Sequence, residues 1–400
     1  MRTAKSVSWG ALGVLTCLLG CSNQGGNNGG NGSSGGGSSK ASSGSEILIG
    51  EYGSFTGTTA QFGKKTHEGI MLALDEVNAK GGLLGKKVKI IDADTASQAD
   101  QAATVVKKLV NQDRVVAVLG EVASSRSMAA APICEANKVP MVSPSSTNPR
   151  VTVGDDGRVR EYVFRVCFID PVQGPVMARF ARENMKKGKA AILKDIKNDY
   201  SVGLSEVFKK DFERRGGKIV AEVSYSEGDT DFRAQLTAIK GASPDCIVIP
   251  GYYSEVGNIA RQARDLGINV PLLGGDGWDD PKLMEIGRDA IDGAYFTTHF
   301  SAESKDERVQ TFVKSYQAKF NEVPGGLAAM GYDAAKILFE AIARAKSTNG
   351  PAIAKALGET KDYKAVTGNI TINKQHNAEK PIVVVQVKGK AFKYVATFTP

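Results

Sequence analysis

VVAVLGEVASSRSMAAAPICEANKVPMVSPSST, residues 115–147 of a 400-residue chain, is the stretch whose reading decides the fold. Its opening, residues 115–119, has the length and apolar composition of a buried strand, and Gly120 ends it. Ser124 and Ser125 stand where a helix begins, as N-cap residues. An alanine-rich helical segment follows, then a second apolar strand over residues 139–142. The loop Ser143-Pro144-Ser145-Ser146-Thr147 leaves that strand. A strand–helix–strand unit of this kind sets two hydroxyl-rich loops beyond the carboxyl ends of its strands. In open α/β sheets that edge takes small ligands.

The unit is repeated in CIVIPGYYSEVGNIARQARDLGINVPLLGGDGW, residues 246–278. Gly120, Val139 and Pro140 recur there as Gly251, Val270 and Pro271, all at one offset. The same offset carries Ser145 onto Asp276. Two similar α/β lobes are expected, one offering hydroxyls and the other Tyr252 and the Asp276 carboxylate. Hydroxyls and helix-start amides on one wall of a cleft and a carboxylate on the other suit a zwitterion.

Outward from the repeat, strands and helices alternate, which argues for parallel sheets. Residues 46–50 read as the first strand, and a loop rich in Gly and Thr follows to Gly63. Ile70, Leu74 and Val77 share one helical face, stopped at Gly81-Gly82. The run from Gly81 to Lys87 fails as a phosphate loop, because its glycines are too close and no Ser or Thr follows the lysines. Further strands are expected at 163–168, 190–193, 219–225, 294–298, 381–387 and 391–397. Helices are expected at 202–215, 231–240, 306–320 and 327–346.

The chain carries a formal charge of +8 with 24% charged residues, dispersed along it. No basic stripe interleaves with aromatics, so no nucleic-acid partner is expected. Residues 1–20 read as an export signal, with Arg2 and Lys5 ahead of a short apolar run. That run falls short of the roughly 20 residues that cross a bilayer. It ends in Leu18-Leu19-Gly20-Cys21, which resembles the lipobox of bacterial lipoproteins and implies lipidation of Cys21 after cleavage before it. Residues 22–45 are almost wholly Gly, Ser and Asn. Such a tether spans roughly 25–30 Å and would hold the folded part clear of a membrane. Cys134, Cys167 and Cys246 then remain, an odd number that allows one bridge; their apolar settings favour buried, unpaired side chains.

Taken in order, these landmarks resemble the periplasmic solute-binding proteins for branched-chain and related amino acids. They run from the Gly53–Gly63 loop through the Ala79–Gly82 turn, Ser124, the Ser143–Thr147 loop and Tyr252, to Arg261–Gly267 and Gly275-Asp276-Gly277. The likeness spans residue 47 to the end. It implies the type I binding-protein fold, an α/β protein of two Rossmann-like lobes joined by three hinge crossings. The first lobe would take residues 46–166 and 298–378, the second 167–297 and 379–400. It further implies an extracytoplasmic, monomeric lipoprotein of the cell envelope that hands its ligand to ABC transporter permease subunits. Ser124, Ser145 and Thr147 would hold the ligand's α-carboxylate, and Tyr252 and Asp276 its α-ammonium. Asp276 is a shorter arm than the glutamate common at that place. Phe62, Tyr200 and Tyr332 would line the side-chain pocket, Phe62 where a tyrosine is common; as residues, all three also read as core or lobe-surface aromatics. Ala123 stands where enteric members carry half of a disulfide.

Other classes have less behind them. His67, His299 and His376 lack metal spacing, no nucleophile elbow or dinucleotide fingerprint occurs, and no cofactor is expected. Asp276, Asp279 and Asp280 do not form a calcium loop and read as a turn over hydrated acids. Arg126 reads as a solvated surface arginine, or else as a group favouring an acidic ligand. A ligand sensor of the same fold, or a binder of an amide or urea-like solute, remain the alternative functions.

Overall fold

The computed structural model describes residues 46–399; Cys21, the signal segment and the tether lie outside the described residues. The chain begins with β1 (Ile47–Gly53), α1 (Ala60–Ala79), β2 (Val88–Asp94), α2 (Ala99–Asn111), β3 (Val118–Leu119), α3 (Ser124–Asn137), β4 (Met141–Ser143) and β5 (Val163–Arg165). These five strands form one parallel sheet in the order β2-β1-β3-β4-β5. The second set is α4 (Asp170–Arg179), β6 (Lys189–Asp195), α5 (Asp199–Arg214), β7 (Lys218–Tyr225), α6 (Arg233–Ala242), β8 (Cys246–Val248), α7 (Tyr253–Asp265), β9 (Leu272–Gly274), α8 (Lys282–Gly287) and β10 (Tyr295–Thr298). Its strands repeat the order, β7-β6-β8-β9-β10, again in parallel. The duplication seen in two units of sequence thus extends to two whole sheets.

The chain then returns through α9 (Glu307–Phe320), α10 (Gly326–Ala345) and α11 (Gly350–Gly358) to the first sheet's side. A small antiparallel sheet follows, of β11 (Tyr363–Ala365), β12 (Gly368–Ile372) and β13 (Ala378–Glu379). The last strands, β14 (Ile382–Lys388) and β15 (Ala391–Phe398), add antiparallel to β10 and complete a seven-stranded sheet. The chain therefore passes between the two sheets after β5, after β10 and after β13.

Parallel strands are covered on both faces, which is why β3, β4, β8 and β9 are wholly buried short apolar runs. α10 lies along α1 at backbone distance. A Cβ on Gly69 would stand 2.0 Å from the Ala328 carbonyl oxygen, and one on Gly331 2.3 Å from that of Thr66. The apolar stripe of α1, with Ile70 and Leu74, is buried with Met330, Ala334 and Leu338 of α10. Burying each Leu or Ile side chain contributes about 1.5–3 kcal/mol.

Two local expectations are corrected. Ala123, not a serine, occupies the N-cap of α3; it caps with no side chain, and Ser124 is the first helical residue. The Ser124 hydroxyl instead accepts from the Asn148 N–H at 3.2 Å, tying the two site loops together. α4 falls between the strands expected at 163–168 and 190–193, where no helix was expected. Pro171 lies in the first turn, where a missing N–H costs nothing, and Gly174 lets α4 meet α5, since a Cβ there would stand 3.0 Å from the Phe208 nitrogen. Cys134, Cys167 and Cys246 are free and buried.

Candidate functional site

The carboxyl edges of the two sheets face each other, and the loops named in the repeat meet there. Ser145 and Asp276, equivalent positions 131 residues apart, are hydrogen-bonded across the cleft, the Ser145 hydroxyl donating to Asp276 Oδ2 at 3.3 Å. Asp276 opens a 3-10 turn (Asp276–Trp278) directly after β9. Gly275 and Gly277 let it sit there: a Cβ on Gly275 would lie 2.4 Å from the Tyr200 hydroxyl, and one on Gly277 2.7 Å from the Gly251 carbonyl oxygen.

Asp276 is 5% exposed. Gln173 of α4 grips it twice, donating from Nε2 to Oδ1 and accepting from the Asp276 N–H, both at 2.9 Å. His299 Nε2 stands 3.1 Å from Oδ2. Burial pushes the Asp276 carboxyl up to about 7, against the bonds from Tyr200 and Ser145 that favour its anion. The same burial, with Lys380 nearby, holds the His299 imidazole well below its ordinary value, so it is neutral. Asp276 is a buried carboxylate whose hydrogen-bond partners are neutral among the described residues. A buried charge in that condition is costly until a cation joins it.

Across from it, Ser124, Ser145 and Thr147 are all buried. The Thr147 hydroxyl lies against the buried carboxyl of Asp170, which burial and the nearby Asp276 raise to about 8. The first turn of α3 begins beside these hydroxyls, at Ser124.

Of the expected aromatics, three converge. Phe62 of α1 meets Tyr252 edge-on at 5.0 Å, and Tyr252 stacks on Tyr200 of α5 at 5.6 Å. The Tyr200 hydroxyl accepts from the Gly277 N–H at 3.2 Å, while that of Tyr252 donates to Asn198 at 3.4 Å. Tyr332 does not join them. It sits where α10 packs on α1, its hydroxyl on both carboxylate oxygens of Glu76 at 2.9 Å and its ring against Phe312. Trp278 turns into the second core, donating from Nε1 to the Ile249 carbonyl at 2.9 Å.

Arg126 is not a solvated surface arginine, and Asp279 and Asp280 are not hydrated turn acids. Arg126 is 3% exposed. It donates to Ser54 Oγ, Thr59 Oγ1 and the Ser97 carbonyl at 2.7–2.8 Å, and across the cleft to Glu227 at 3.0 Å. Asp279 and Asp280 are buried too, not hydrated. Asp279 accepts from the Thr298 hydroxyl and Asp280 from the Lys282 N–H; burial raises them to about 6 and about 7. Polar sequence around a strand end reads as solvent-facing, whereas here it is buried and hydrogen-bonded. Gln173, Asn198 and His299 were missed as site residues; His299 alone carried a signal, lying just beyond an expected strand end.

The lobes touch at further points. Ser125 donates to Asp199 at 2.8 Å, and Tyr253 to the Thr58 carbonyl at 3.3 Å. A groove of about 560 Å³ opens at the mouth of the cleft, lined by Ser97, Ala123, Arg126, Asn198, Glu227 and Tyr252.

Comparison with known proteins completes the picture. Residues 46–391 match the model of a family described as periplasmic binding protein. The chain is 31% identical over 339 residues to the Leu/Ile/Val-binding protein homolog 3 of Brucella melitensis, covering 84% of this chain and 90% of that one. It superposes on a leucine-binding protein, LivK, of Thermotoga maritima with a TM-score of 0.85 and 40% identity, covering 88% of this chain and 99% of the other. It superposes on the branched-chain amino acid transporter substrate-binding protein LivJ of Streptococcus pneumoniae, solved in complex with isoleucine, with a TM-score of 0.83 and 33% identity, over 89% and 100% of the two chains.

Proposed function

The chain belongs to the periplasmic binding protein family and has its type I fold, and from that premise we propose that it captures an apolar, branched-chain α-amino acid between its lobes and delivers it to an ABC permease. It is a transport component and not an enzyme. The observation that supports the ligand reading is Asp276, a buried acid with neutral partners, hydrogen-bonded across the cleft to Ser145 of the hydroxyl-rich loop. An α-ammonium answers the first and an α-carboxylate the second. In this reading Ser124, Ser145 and Thr147 take the carboxylate, Tyr252 and Asp276 the ammonium, and Phe62 and Tyr200 the side chain. The apolar, aromatic character of that last wall supports leucine, isoleucine or valine over a polar amino acid. Relatives whose names state leucine, isoleucine or valine binding support it too.

The test is mass spectrometry of what co-purifies with the full chain, followed by calorimetry on protein stripped by unfolding and refolding. Leucine, isoleucine or valine should bind, and their des-amino acids should bind far more weakly. Equal binding of the two sets would sink the α-amino acid reading. Loss of uptake in a strain lacking the protein separates delivery to a permease from sensing.

Binding is further proposed to close the lobes about the three crossings, near Cys167, Thr297 and Ala378. Small-angle scattering with and without leucine should show a more compact bound form; unchanged dimensions would remove hinge closure. Lipidation of Cys21 completes the proposal. Cys21→Ser protein should leave the membrane fraction and still bind; a variant that stays with membranes would count against the anchor.

A further inference from the structure

His299 is the third residue of a short run in which each side chain reaches one of the site's polar groups. Thr297 donates to Gln173 Oε1 at 2.7 Å, the Thr298 hydroxyl is bonded to Asp279, and His299 Nε2 lies 3.1 Å from Asp276 Oδ2 and 3.2 Å from Ser145 Oγ. The run ends β10 and begins the second crossing between lobes. The His299 ring is stacked on Phe168 of the first crossing, centroids 3.8 Å apart and planes at 29°. It is therefore clamped between two crossings, with Nε2 aimed at the cleft.

The tautomer follows from the other nitrogen. His299 Nδ1 is buried with no hydrogen-bond partner among the described residues. An imidazole N–H left there would be an orphaned buried donor, while Nε2 has a carboxylate within reach. The proton belongs on Nε2. His299 then donates one hydrogen bond to Asp276 and adds no charge. Gln173 and Ser145 hold the carboxylate in the same way, with neutral donors. A cation at this place would satisfy Asp276 within the protein; a neutral donor orients it and leaves its charge for a ligand.

We propose that His299 is a positioning residue for ligand recognition: its Nε2–H sets the Asp276 carboxylate in the orientation an α-ammonium meets, and so builds part of the specificity for amino acids into the second hinge crossing. This rests on the reading of Asp276 as the ammonium partner. The titratable and charged groups around the pair are Asp170 on α4, Tyr200 on α5, Asp279 after the 3-10 turn, Arg165 and Cys167 at the first crossing, and Lys380 at the third. None of these is a cation bonded to Asp276; only Arg165 and Lys380 are basic, and Lys380 is bonded to Thr367.

The experiment compares His299→Gln, whose amide N–H can stand near the place of Nε2, with His299→Leu, which has no donor. Each full chain is titrated with L-leucine from pH 5.5 to 8.5, with melting temperature measured alongside. His299→Leu should lose at least about tenfold in affinity at pH 7.5, and the midpoint below which affinity falls should move to higher pH, because the carboxylate has lost a donor. His299→Gln should stay within about threefold of the parent with its midpoint unmoved. Equal losses in the two variants, or an unmoved midpoint in His299→Leu, would overturn the proposal and leave His299 a packing residue. If His299→Leu fails to fold, His299→Gln decides alone: a loss of about tenfold or more, or a displaced midpoint, overturns the role of the N–H. Asp276→Asn is the control. If it binds L-leucine like the parent, the ammonium reading falls and this proposal with it; if it loses binding while His299→Leu does not, only this proposal falls.

Discussion

The two copies of the strand–helix–strand unit, β3-α3-β4 and β8-α7-β9, share a backbone plan but little sequence. Ser145 in one is Asp276 in the other, Thr147 is Trp278, Ser124 is Glu255 and Glu121 is Tyr252. The helix of the second copy begins at Tyr253, two positions earlier than its counterpart at Ser124. Trp278 plugs its own core, whereas the Thr147 hydroxyl lies against the Asp170 carboxyl. One backbone plan thus carries a hydroxyl at one strand end and a buried carboxylate at its equivalent. In the proposed function the two face a molecule carrying both charges.

The comparison breaks most severely at Asp276. Asp276→Ala should cost leucine about 2–5 kcal/mol of binding free energy, read by calorimetry on stripped protein. Should the variant bind as tightly as the parent, the second wall has no cationic preference. Glu255, at the start of α7, accepts from the Gly228 N–H at 3.3 Å and would be the next to test.

Changes on the hydroxyl wall should cost less, because several donors share one carboxylate. Thr147→Val and Ser124→Ala should each weaken binding by about 1.5–3 kcal/mol, the range for a hydrogen bond to a charged group. Losses on the two walls in the reverse order would mean that the anion, not the cation, dominates recognition.

How much of this was legible in the chain follows from the same contrast. The repeat was legible because Gly120, Pro140 and their counterparts mark strand ends, and strand ends are local. Ser145 opposite Asp276 followed from one offset. Gln173 was hidden because α4 carries Pro171 and Pro175, and proline reads as a break unless its position within the helix is known. Arg126 looks solvated along the chain because its partners Ser54, Thr59, Ser97 and Glu227 are distant in sequence, and Asp279 because Thr298 is. Tyr332 shares a helix face with residues that meet α1, and no periodicity distinguishes packing on a helix from lining a pocket.

Acidity sharpens the comparison further. Burial places the Asp276 carboxyl at about 7. As pH falls through 7 that group takes up a proton and stops attracting an ammonium. Leucine affinity should then fall by up to about 1.4 kcal/mol per pH unit. A des-amino analogue should show no such fall. For stability the sign is opposite. Asp170, raised by burial to about 8, and Asp276 keep protons that the unfolded chain releases near pH 4. The folded ligand-free state is thus favoured at low pH and loses this advantage as pH rises from 4 towards 8. Denaturant titrations at pH 5.5 and pH 8, with and without leucine, should show ligand flattening that slope.

The smallest effect is expected away from the pair. Glu227→Gln breaks the bridge from Arg126 between lobes, at a position 28% exposed. It should weaken leucine binding by only about 0.5–1 kcal/mol. The cause would be a smaller population of the closed form, so scattering of the ligand-free variant should shift towards larger dimensions. No change in either quantity would make the bridge incidental to closure.

The pairing of α1 with α10 has a consequence for how the chain is made. α1 ends at Ala79 and its partner begins at Gly326. At about 5–20 residues per second, a nascent chain emerges for more than about ten seconds between the two. Throughout that interval the face bearing Ile70 and Leu74 has no α10 to cover it, and the second sheet still lacks β14 and β15. The first lobe is completed only once α10 is made, late in synthesis, and the second sheet stays open at its β10 edge until β14 and β15 follow.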